Sequence, residues 1–553
     1  VTRFASMALH WSAVALVLAL MARLLWVRGN ETTLRARWRL ARQRLTRPMA
    51  LSLGSAGVLM LCTGAIVFYN VNVLHTYRTN DEEKALRARY EQTYGHLEEA
   101  PQPRLTAVDV DIDLFPTRRD ATLGGTYTLV NKTPHAIDSV YVNVATADEL
   151  KLDTLAINRS ASLALRDDTF GFRAYTLDAP LAPHDTMTLT FRHTIRTRGF
   201  GGDIDALARN GTFLRNTMLP RIGYQPGREL ATPSDRETYG LSPKPPMPPL
   251  SDSLAQRTNM LSRNADWIDF TATVSTPADQ IALAPGHRDT TWVENGRRHS
   301  RFTARPPMAH LYTVVSARYD TVAARWTPPD TADHAPVDIA VYHHPTHTFN
   351  LNRLVDGAQS ALGYFTTHFG PYPNRHLRIA EFPQYHGAFA QSFLGTIPFS
   401  ESMGFILRFD EEEDIDFPFY VTAHEVAHQW WGHQVLGANV EGATMLSETL
   451  SQYSALMVLK QRYGEHQMRR FLEYELDRYL SGRSQERRAE RPLVRVAGQS
   501  YVHYRKGSNV MYALQDYIGE DRVNTALRRL VNRTKFTEPP YPTSLDLMRE
   551  LET

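Results

Sequence analysis

The sequence predicts a multidomain α+β protein in which two transmembrane helices are followed by an antiparallel β domain and then by a mainly helical domain. Three observations support this fold class. The chain opens with two apolar runs, residues 105–317 alternate between apolar and polar side chains with turn signals between them, and helical periodicity dominates from about residue 336. A chain of 553 residues is long enough for several compact units.

The first two elements are apolar segments of membrane-spanning length. Residues 4–27 are interrupted only by His10 and Arg23, and residues 49–69 contain no charged side chain. About 20 apolar residues suffice to cross the hydrocarbon core of a bilayer. A cleaved signal peptide is disfavoured because no basic leader precedes the first run and a second run follows it. A buried core hairpin is the other interpretation, although core helices of this length normally show a polar face.

The segment between the two runs is strongly basic. Residues 28–48 contain seven arginines and one acidic residue, Glu31. Positively charged loops stay in the cytoplasm, so this loop is predicted to be cytoplasmic and the chain beyond residue 76 to lie across the membrane from it. Residues 1–76 are therefore predicted to be a two-helix anchor in the lipid bilayer. The formal net charge of +2 argues against a nucleic-acid partner.

Four further segments are predicted beyond the anchor. Residues 77–104 are charged with helical spacing and are predicted to form a juxtamembrane helical stalk. Residues 105–317 are the antiparallel β domain, and residues 536–553 begin a helix that we expect to be the start of a truncated carboxyl-terminal region. Residues 318–535 are the mainly helical domain, with helices predicted at 352–368, 417–432, 441–463, 466–480, 505–518 and 521–533.

The segment 421–432, VTAHEVAHQWWG, carries the main chemical signal. His424 and His428 are four residues apart, so their imidazoles project from one face of a helix and can share a metal ion. Glu425 can reach a water molecule beside that ion and act as a general base. Cys62 is the only cysteine, which excludes cysteine-rich zinc sites and leaves His, Asp or Glu as the ligands of any metal.

A third ligand is expected from the following helix. The predicted helix 441–463 has Glu448 in its second turn, and an antiparallel helix pair would bring this carboxylate against the two histidines. The alternative is a surface acidic residue. That alternative fits poorly because Met445, Leu446 and Leu450 indicate a buried stretch.

These motifs resemble those of the aminopeptidase N-like gluzincins, zinc peptidases in which a β domain precedes a thermolysin-like catalytic domain. The resemblance runs from about residue 105 to the end of the chain, and it implies one zinc ion on His424, His428 and Glu448 with Glu425 as the base. The interval from His428 to Glu448 is one residue longer than is usual in the family. The segment 504–507 resembles the family's Tyr-x-Lys-Gly, which implies that Tyr504 donates a hydrogen bond to the tetrahedral oxyanion.

One motif departs from the family. Gly387, Ala388, Phe389, Ala390 and Gln391 stand where the family has Gly-Ala-Met-Glu-Asn, and they are predicted to bind the substrate. The Glu of that motif pairs with the free α-ammonium of the peptide, and Ala390 has no carboxylate for this purpose. The backbone of the segment can still align a peptide as an added strand, and Gln391 keeps an amide.

Two consequences of this departure remain open. Another acid can take over the ammonium, with Glu401, Glu441 and Glu448 as candidates. Otherwise free amino termini are not strongly selected, because an unpaired ammonium loses a charge-assisted hydrogen bond.

The order of segments also resembles the carboxyl-terminal half of bacterial proteins that join an ABC-type permease to such a peptidase domain. This resemblance implies the bacterial inner membrane, a periplasmic catalytic domain, and permease or ABC transporter subunits as partners. The predicted function is a membrane-anchored zinc metallopeptidase acting on peptides, in the first place as an aminopeptidase. Two alternatives are an endopeptidase or a peptidase with another specificity, and a transport-associated peptide-binding or sensing domain.

Overall fold

The chain folds into two compact units. The computed structural model describes residues 2–27, 33–200, 206–328 and 335–553, so Arg28 and Glu31 of the basic segment lie outside the described residues. The first unit comprises Val1–Glu83, Ala147–Glu149 and Thr197–Ile204, and the second comprises Lys84–Thr146, Leu150–Arg196 and Asp205–Thr553.

Two long apolar helices dominate the first unit. They are α1 (Thr2–Leu25) and α3 (Arg47–Phe68), and the basic segment that was predicted to be a loop contains α2 (Leu34–Arg44). His10 near the start of α1 contacts Thr63 near the end of α3, with 3.1 Å between Nδ1 and Oγ1, so the two helices run antiparallel. Few of their residues are buried, and both helices are long and apolar enough to be candidate membrane spans.

The segment predicted as a juxtamembrane stalk is largely packed against the β domain. It forms α4 (Asn80–Tyr94), in which Tyr90 and Tyr94 are buried. Tyr94 stacks on Phe172 at 4.2 Å between ring centroids, and Tyr90 stacks on Tyr224 at 5.1 Å. The predicted helix is therefore present, and two tyrosines four residues apart give it an apolar face that packs against Phe172 and Tyr224, while its juxtamembrane position stays a prediction.

The β domain contains four-, three- and seven-stranded sheets. The seven-stranded sheet has the order β12-β13-β10-β1-β2-β7-β4, and two smaller sheets have the orders β11-β14-β8 and β5-β6-β3-β9. The short helix α5 (Pro233–Thr238) lies between β9 and β10 in the chain. The strands are β1 (Arg104–Phe115), β2 (Asp120–Val130), β3 (Ile137–Asn143), β4 (Leu150–Ile157), β5 (Ala161–Asp167), β6 (Phe172–Leu181), β7 (Thr186–Arg196), β8 (Thr212–Arg215), β9 (Arg221–Ile222), β10 (Ala265–Pro277), β11 (Ile281–Leu283), β12 (His287–Glu294), β13 (Arg297–Thr303) and β14 (Thr313–Ala317).

The prediction of a purely antiparallel domain is wrong at one pair of strands. Strands β1 and β10 run parallel, with Val108 opposite Phe270 and Val110 opposite Ala272, whereas the other pairs of the seven-stranded sheet are antiparallel. A parallel pair needs a long connection, and the chain from β7 to β10 supplies one. Alternating burial along β1, with Val110 buried and Asp111 exposed, follows the predicted period of two.

The mainly helical part contains a sheet that the sequence did not predict. Its strands are β15 (Asp320–Trp326), β16 (Val337–His343), β17 (His376–Phe382) and β18 (Thr396–Ser400), and they lie side by side in this order. The β16–β17 and β17–β18 pairs are parallel. Every residue of β17 and β18 is buried, so these strands lack the alternation that reveals half-exposed strands.

Helices α6 to α13 complete the helical part. They share one apolar core with the sheet, and Trp430, Trp431 and Phe365 lie at its centre. Most predicted helices are present with shifted ends. The helices are α6 (Leu351–Phe369), α7 (Glu401–Gly404), α8 (Phe417–Ala427), α9 (Leu450–Tyr463), α10 (Met468–Gln485), α11 (Gly507–Ile518), α12 (Glu520–Thr534) and α13 (Ser544–Glu552).

Candidate metal centre and active site

Helix α8 carries the two histidines of the site. It begins after Asp416, whose carboxylate accepts a hydrogen bond from the Phe419 backbone N–H at 3.1 Å, and Pro418 lies in its first turn. The regular helix ends at Ala427 rather than near residue 432 as predicted. His428 keeps a helical backbone conformation, and its N–H bonds to the His424 carbonyl at 3.3 Å. Both imidazoles therefore leave the same face of the chain.

Three potential ligand atoms converge at the end of α8. The Nε2 atoms of His424 and His428 are 3.1 Å apart. Glu448 Oε2 lies 3.6 Å from His424 Nε2 and 3.3 Å from His428 Nε2. One ligand atom from each of the three residues lies within 4.8 Å of the others. The structure thus brings together the three residues that the sequence named as ligands.

Glu448 lies in a π-helical turn. This turn, Met445–Thr449, immediately precedes α9, and the helical conformation starts at Ala443, so Glu448 lies in the second helical turn as predicted, although the helix begins two residues after residue 441. A π-turn holds one residue more than an α-turn and is often found at functional sites. It is one place where the additional residue between His428 and Glu448 can be accommodated.

The donor set of this centre fits a zinc ion. Zinc in proteins is bound by imidazole nitrogens and carboxylate oxygens, as are present here. Glu448 Oε2 is buried and faces the Nε2 atoms of both histidines. Burial opposes its charge, yet the neighbouring imidazoles hold the pKa of Glu448 well below its usual range. Burial lowers the pKa of His424 to about 4, whereas the Glu448 carboxylate overcomes burial and raises the pKa of His428 to about 9. His424 is therefore in the neutral form that coordinates a metal, and His428 must lose a proton to do so.

Glu425 lies beside the three ligand residues. It is buried, and it lines the same cavity of about 320 Å³ as His424, His428, Glu448 and Tyr504. Burial raises the pKa of Glu425 to about 7, against the opposing effects of the His428 ring and of a hydrogen bond from the Ser392 backbone. The position and the protonation behaviour are those of a group that can exchange protons near neutral pH.

Tyr504 also lies in a π-helical turn, Tyr501–Lys506, directly before α11. Its ring centroid is 6.0 Å from that of His424. Burial and the carboxylates of Glu448 and Glu425 raise the pKa of Tyr504, so its hydroxyl remains protonated and able to donate a hydrogen bond.

The segment 387–391 forms one wall of the cavity through Phe389, Ala390 and Gln391, whereas Gly387 and Ala388 do not line it. Gly387 has φ +122°, and a Cβ atom there would lie 2.9 Å from the Phe389 ring, so a glycine is required.

The backbone of Ala390 is available to a ligand. Ala390 lies opposite Phe399 of β18, between hydrogen bonds from Gln391 N to Pro398 O at 3.1 Å and from Ser400 N to Phe389 O at 3.0 Å. Its own N–H and C=O point away from β18 and bond to none of the described residues. A peptide can align along this free strand edge as an added strand.

Two acids named as replacements for the missing carboxylate are engaged elsewhere. Glu401 accepts a hydrogen bond from the Gln384 backbone at 2.9 Å and lies 3.9 Å from His347. Glu441 is paired with Arg491. Neither residue lines the cavity, whereas Glu448, the third candidate, does.

Several side chains around the centre were not singled out from the sequence. Ser451 Oγ lies 3.0 Å from His428 Nδ1, which also contacts the Trp431 carbonyl at 3.0 Å. Ser451 follows Glu448 by three residues and could have been found from helical spacing. Arg215 lines the cavity from strand β8, far away in the chain, and no local sequence signal indicates it.

Comparison with known proteins relates part of this chain to the peptidases. Residues 356–552 match the family model described as the peptidase family M1 domain. A probable aminopeptidase 1 of Sulfurisphaera tokodaii is 24% identical over 194 residues, which cover 33% of this chain and 24% of that relative. The chain thus matches about a quarter of the length of this curated relative.

Solved structures share the fold. An M1 zinc metallopeptidase variant from Deinococcus radiodurans has a TM-score of 0.54 at 17% identity, covering 82% of this chain and 92% of that chain. A Deinococcus radiodurans variant bound to a Tyr-Ser-Ala substrate has a TM-score of 0.53 at 16% identity, covering 82% and 91%. These neighbours show that the chain shares their multidomain α+β fold, and residues 356–552 are similar to the domain of a peptidase family.

Proposed function

We propose that the protein is a membrane-anchored zinc metallopeptidase that hydrolyses peptide bonds, with aminopeptidase action as the first candidate. The observation that carries this proposal is the convergence of His424, His428 and Glu448 beside Glu425 in one cavity. The M1 domain match over residues 356–552 supports it independently. In this proposal the three converging residues hold one zinc ion.

The zinc ion, when bound, would supply a Lewis acid toward the scissile carbonyl and the attacking water. Glu425 accepts a proton from that water and passes it to the departing amine, a role that suits a pKa of about 7. The Tyr504 hydroxyl donates a hydrogen bond to the oxygen on which negative charge develops. The free N–H and C=O of Ala390 align the substrate backbone as an added strand.

The substitution Glu425→Gln tests the catalytic proposal in the purified full chain in detergent. The amide keeps the shape of the side chain but cannot accept the proton, so we expect zinc content by metal analysis to be retained and kcat/KM to fall by about a thousandfold. Glu413→Gln in the exposed acidic loop is the matched control. Persistent turnover in the Glu425→Gln protein would contradict the proposed base. A wild-type protein that binds peptides without cleaving them would favour the binding or sensing function.

A peptidase that does not require a free amino terminus is the second candidate. Ala390 favours it because its methyl group cannot pair with an α-ammonium, and Glu401 and Glu441 do not reach the cavity. One short peptide in free and N-acetylated forms separates the candidates. Cleavage of the free form alone supports an aminopeptidase, and equal cleavage of both forms supports an endopeptidase or a related specificity.

The membrane anchor and its orientation are part of the proposal. Helices α1 and α3 are candidate spans, and the arginines of α2 favour a cytoplasmic position for the segment between them. We expect the chain to resist alkaline carbonate extraction from the bacterial inner membrane. An external protease should digest its carboxyl-terminal unit in spheroplasts. Permease or ABC transporter subunits are proposed partners on the resemblance in segment order alone, and co-purification tests them.

A further inference from the structure

Arg215 is an unpaired cation in the cleft. It is the last residue of β8 and lines the cavity together with Ala390 and Glu425. Its guanidinium forms no ion pair or hydrogen bond with any residue in the described parts of the chain. Burial by the cleft walls lowers the pKa of Arg215 and no acid offsets this effect, so the guanidinium keeps its charge without a partner.

Aromatic rings fix the position of this guanidinium. Its central carbon lies 5.1 Å from the ring centroid of Phe213 and 5.1 Å from that of Phe389. Phe213 in turn packs against Phe382 of β17 at 4.8 Å between centroids. Backbone pairing of Arg215 with Thr313 of β14 holds the strand. Cation–π contacts with these two rings, whose centroids are 5.9 Å apart, orient the guanidinium beside the segment that carries Ala390, and they leave its N–H donors for a ligand.

Outside the proposed metal centre and its base, the described residues of the cavity wall carry no negative charge. Met260, Leu261 and Leu311 line the cavity and are apolar. The two acids that line it, Glu425 and Glu448, belong to the proposed metal centre and its base. Apolar walls strengthen electrostatic interactions because they displace water. A substrate cation near Arg215 is therefore repelled, and a substrate carboxylate gains a charge-assisted and potentially bidentate pair.

We propose that Arg215 binds the side-chain carboxylate of an acidic residue that flanks the scissile bond, so that the site selects aspartate- or glutamate-containing peptides. This inference rests on the proposed peptidase function, because the same cavity holds the reacting groups. Arg215 is the specificity-determining residue in this assignment, and Ala390 leaves it without an internal partner.

Matched peptides that differ only by glutamate or glutamine test the inference. The residue is placed first on one side and then on the other side of the cleavage site, and kcat/KM is measured for the full chain in detergent. We expect glutamate to exceed glutamine by about tenfold at one of these positions, as one charge-assisted pair predicts. In Arg215→Gln this ratio should fall to about one, because the amide does not distinguish the two side chains.

Two further variants make the test specific. Arg408→Gln is the control, since Arg408 is an exposed arginine stacked on Phe349 at 4.5 Å and does not line the cavity. It should keep the wild-type ratio. Ala390→Glu adds a carboxylate beside Arg215 and should lower the ratio by competing with the substrate. A wild-type ratio of one or less, or an unchanged ratio in Arg215→Gln, would overturn the inference.

Binding to the Glu425→Gln protein separates this inference from the proposed function. Fluorescence anisotropy with labelled glutamate and glutamine peptides reports affinity without turnover. Tighter binding of the glutamate peptide that disappears in the Glu425→Gln, Arg215→Gln double variant supports the anionic subsite, even if the wild type cleaves neither peptide and the peptidase proposal fails. Equal binding and equal cleavage of both peptides reject the subsite while the peptidase proposal stands.

Discussion

Arg505 forms an ion pair with the buried carboxylate of Glu475 behind the candidate active site, with 2.9 Å between Nη1 and Oε1. Glu475 is fully buried in α10, and its Oε1 also accepts hydrogen bonds from the Tyr420 hydroxyl at 3.0 Å and from Gln452 Nε2 at 3.1 Å. Arg505 follows Tyr504 in the chain, and Tyr420 belongs to α8. This network therefore ties the tyrosine turn to the histidine helix.

We expect Glu475→Gln to destabilise the folded protein. The substitution removes the counter-ion of the partly buried Arg505 guanidinium, which we expect to cost about 2 kcal/mol, less than in fully buried pairs. Urea unfolding of the full chain in detergent, followed by tryptophan fluorescence, measures the change. Glu473→Gln on the same helix is the control, since Glu473 forms an exposed pair with Arg469 and should leave stability unaltered. Equal stability of the two variants would contradict the prediction.

The convergence of the candidate metal ligands was predictable because these residues follow local rules. His424 and His428 are four residues apart on one helix, and the capping Asp416 and Pro418 indicate where that helix begins. Glu448 required a second helix and the family resemblance. The π-helical turn that contains Glu448 was not predictable. One additional residue in a five-residue turn is too small a change to alter the spacing of apolar side chains along the helix.

The parts that sequence did not predict depend on contacts between distant segments. The parallel pairing of β1 with β10 and the approach of Arg215 to Phe389 join residues far apart in the chain. Fully buried strands such as β17 also carry no alternating pattern that would distinguish them from a buried helix. Local periodicity predicts the helices and strands and shows which side of each is apolar. It does not specify which distant helix or strand packs against that apolar side.

Ser451→Ala should weaken zinc binding without unfolding the protein. The Ser451 hydroxyl contacts His428 Nδ1 at 3.0 Å and so orients the ring whose Nε2 faces the centre. Loss of such a supporting contact typically lowers metal affinity by about tenfold or more. Competition with a chromogenic chelator measures the affinity, and Ser484→Ala, an exposed serine at the end of α10, is the control. Unchanged affinity in Ser451→Ala would show that the Trp431 carbonyl alone orients the ring.

Tyr504→Phe should reduce turnover more than substrate binding. Removal of one hydrogen-bond donor to a developing oxyanion typically lowers kcat by about a hundredfold or more, and KM should change little because the hydroxyl acts mainly on the transition state. Zinc content should remain at the wild-type level, since the phenol is not one of the three converging ligands. A rise in KM with constant kcat would instead assign Tyr504 to substrate binding.

The β domain should lose stability in mild acid through His193. This residue of β7 is fully buried, and neither of its ring nitrogens bonds to a described residue. Burial lowers the pKa of His193 to about 4, despite the attraction of Asp153. The unfolded chain, with an ordinary histidine pKa of about 6.5, binds a proton more readily, so stability falls as the pH drops below that value.

Between pH 8 and pH 5, His193 should account for a loss of about 2 kcal/mol in the free energy of unfolding. His193→Leu should remove this part of the pH dependence and flatten the profile between pH 6.5 and pH 4. Some dependence will persist, because burial also lowers the pKa of His310 to about 3. Urea unfolding at a series of pH values provides the measurement, with His466→Gln at an exposed site as the control. Parallel pH profiles for the wild type and His193→Leu would show that His193 is protonated equally in both states.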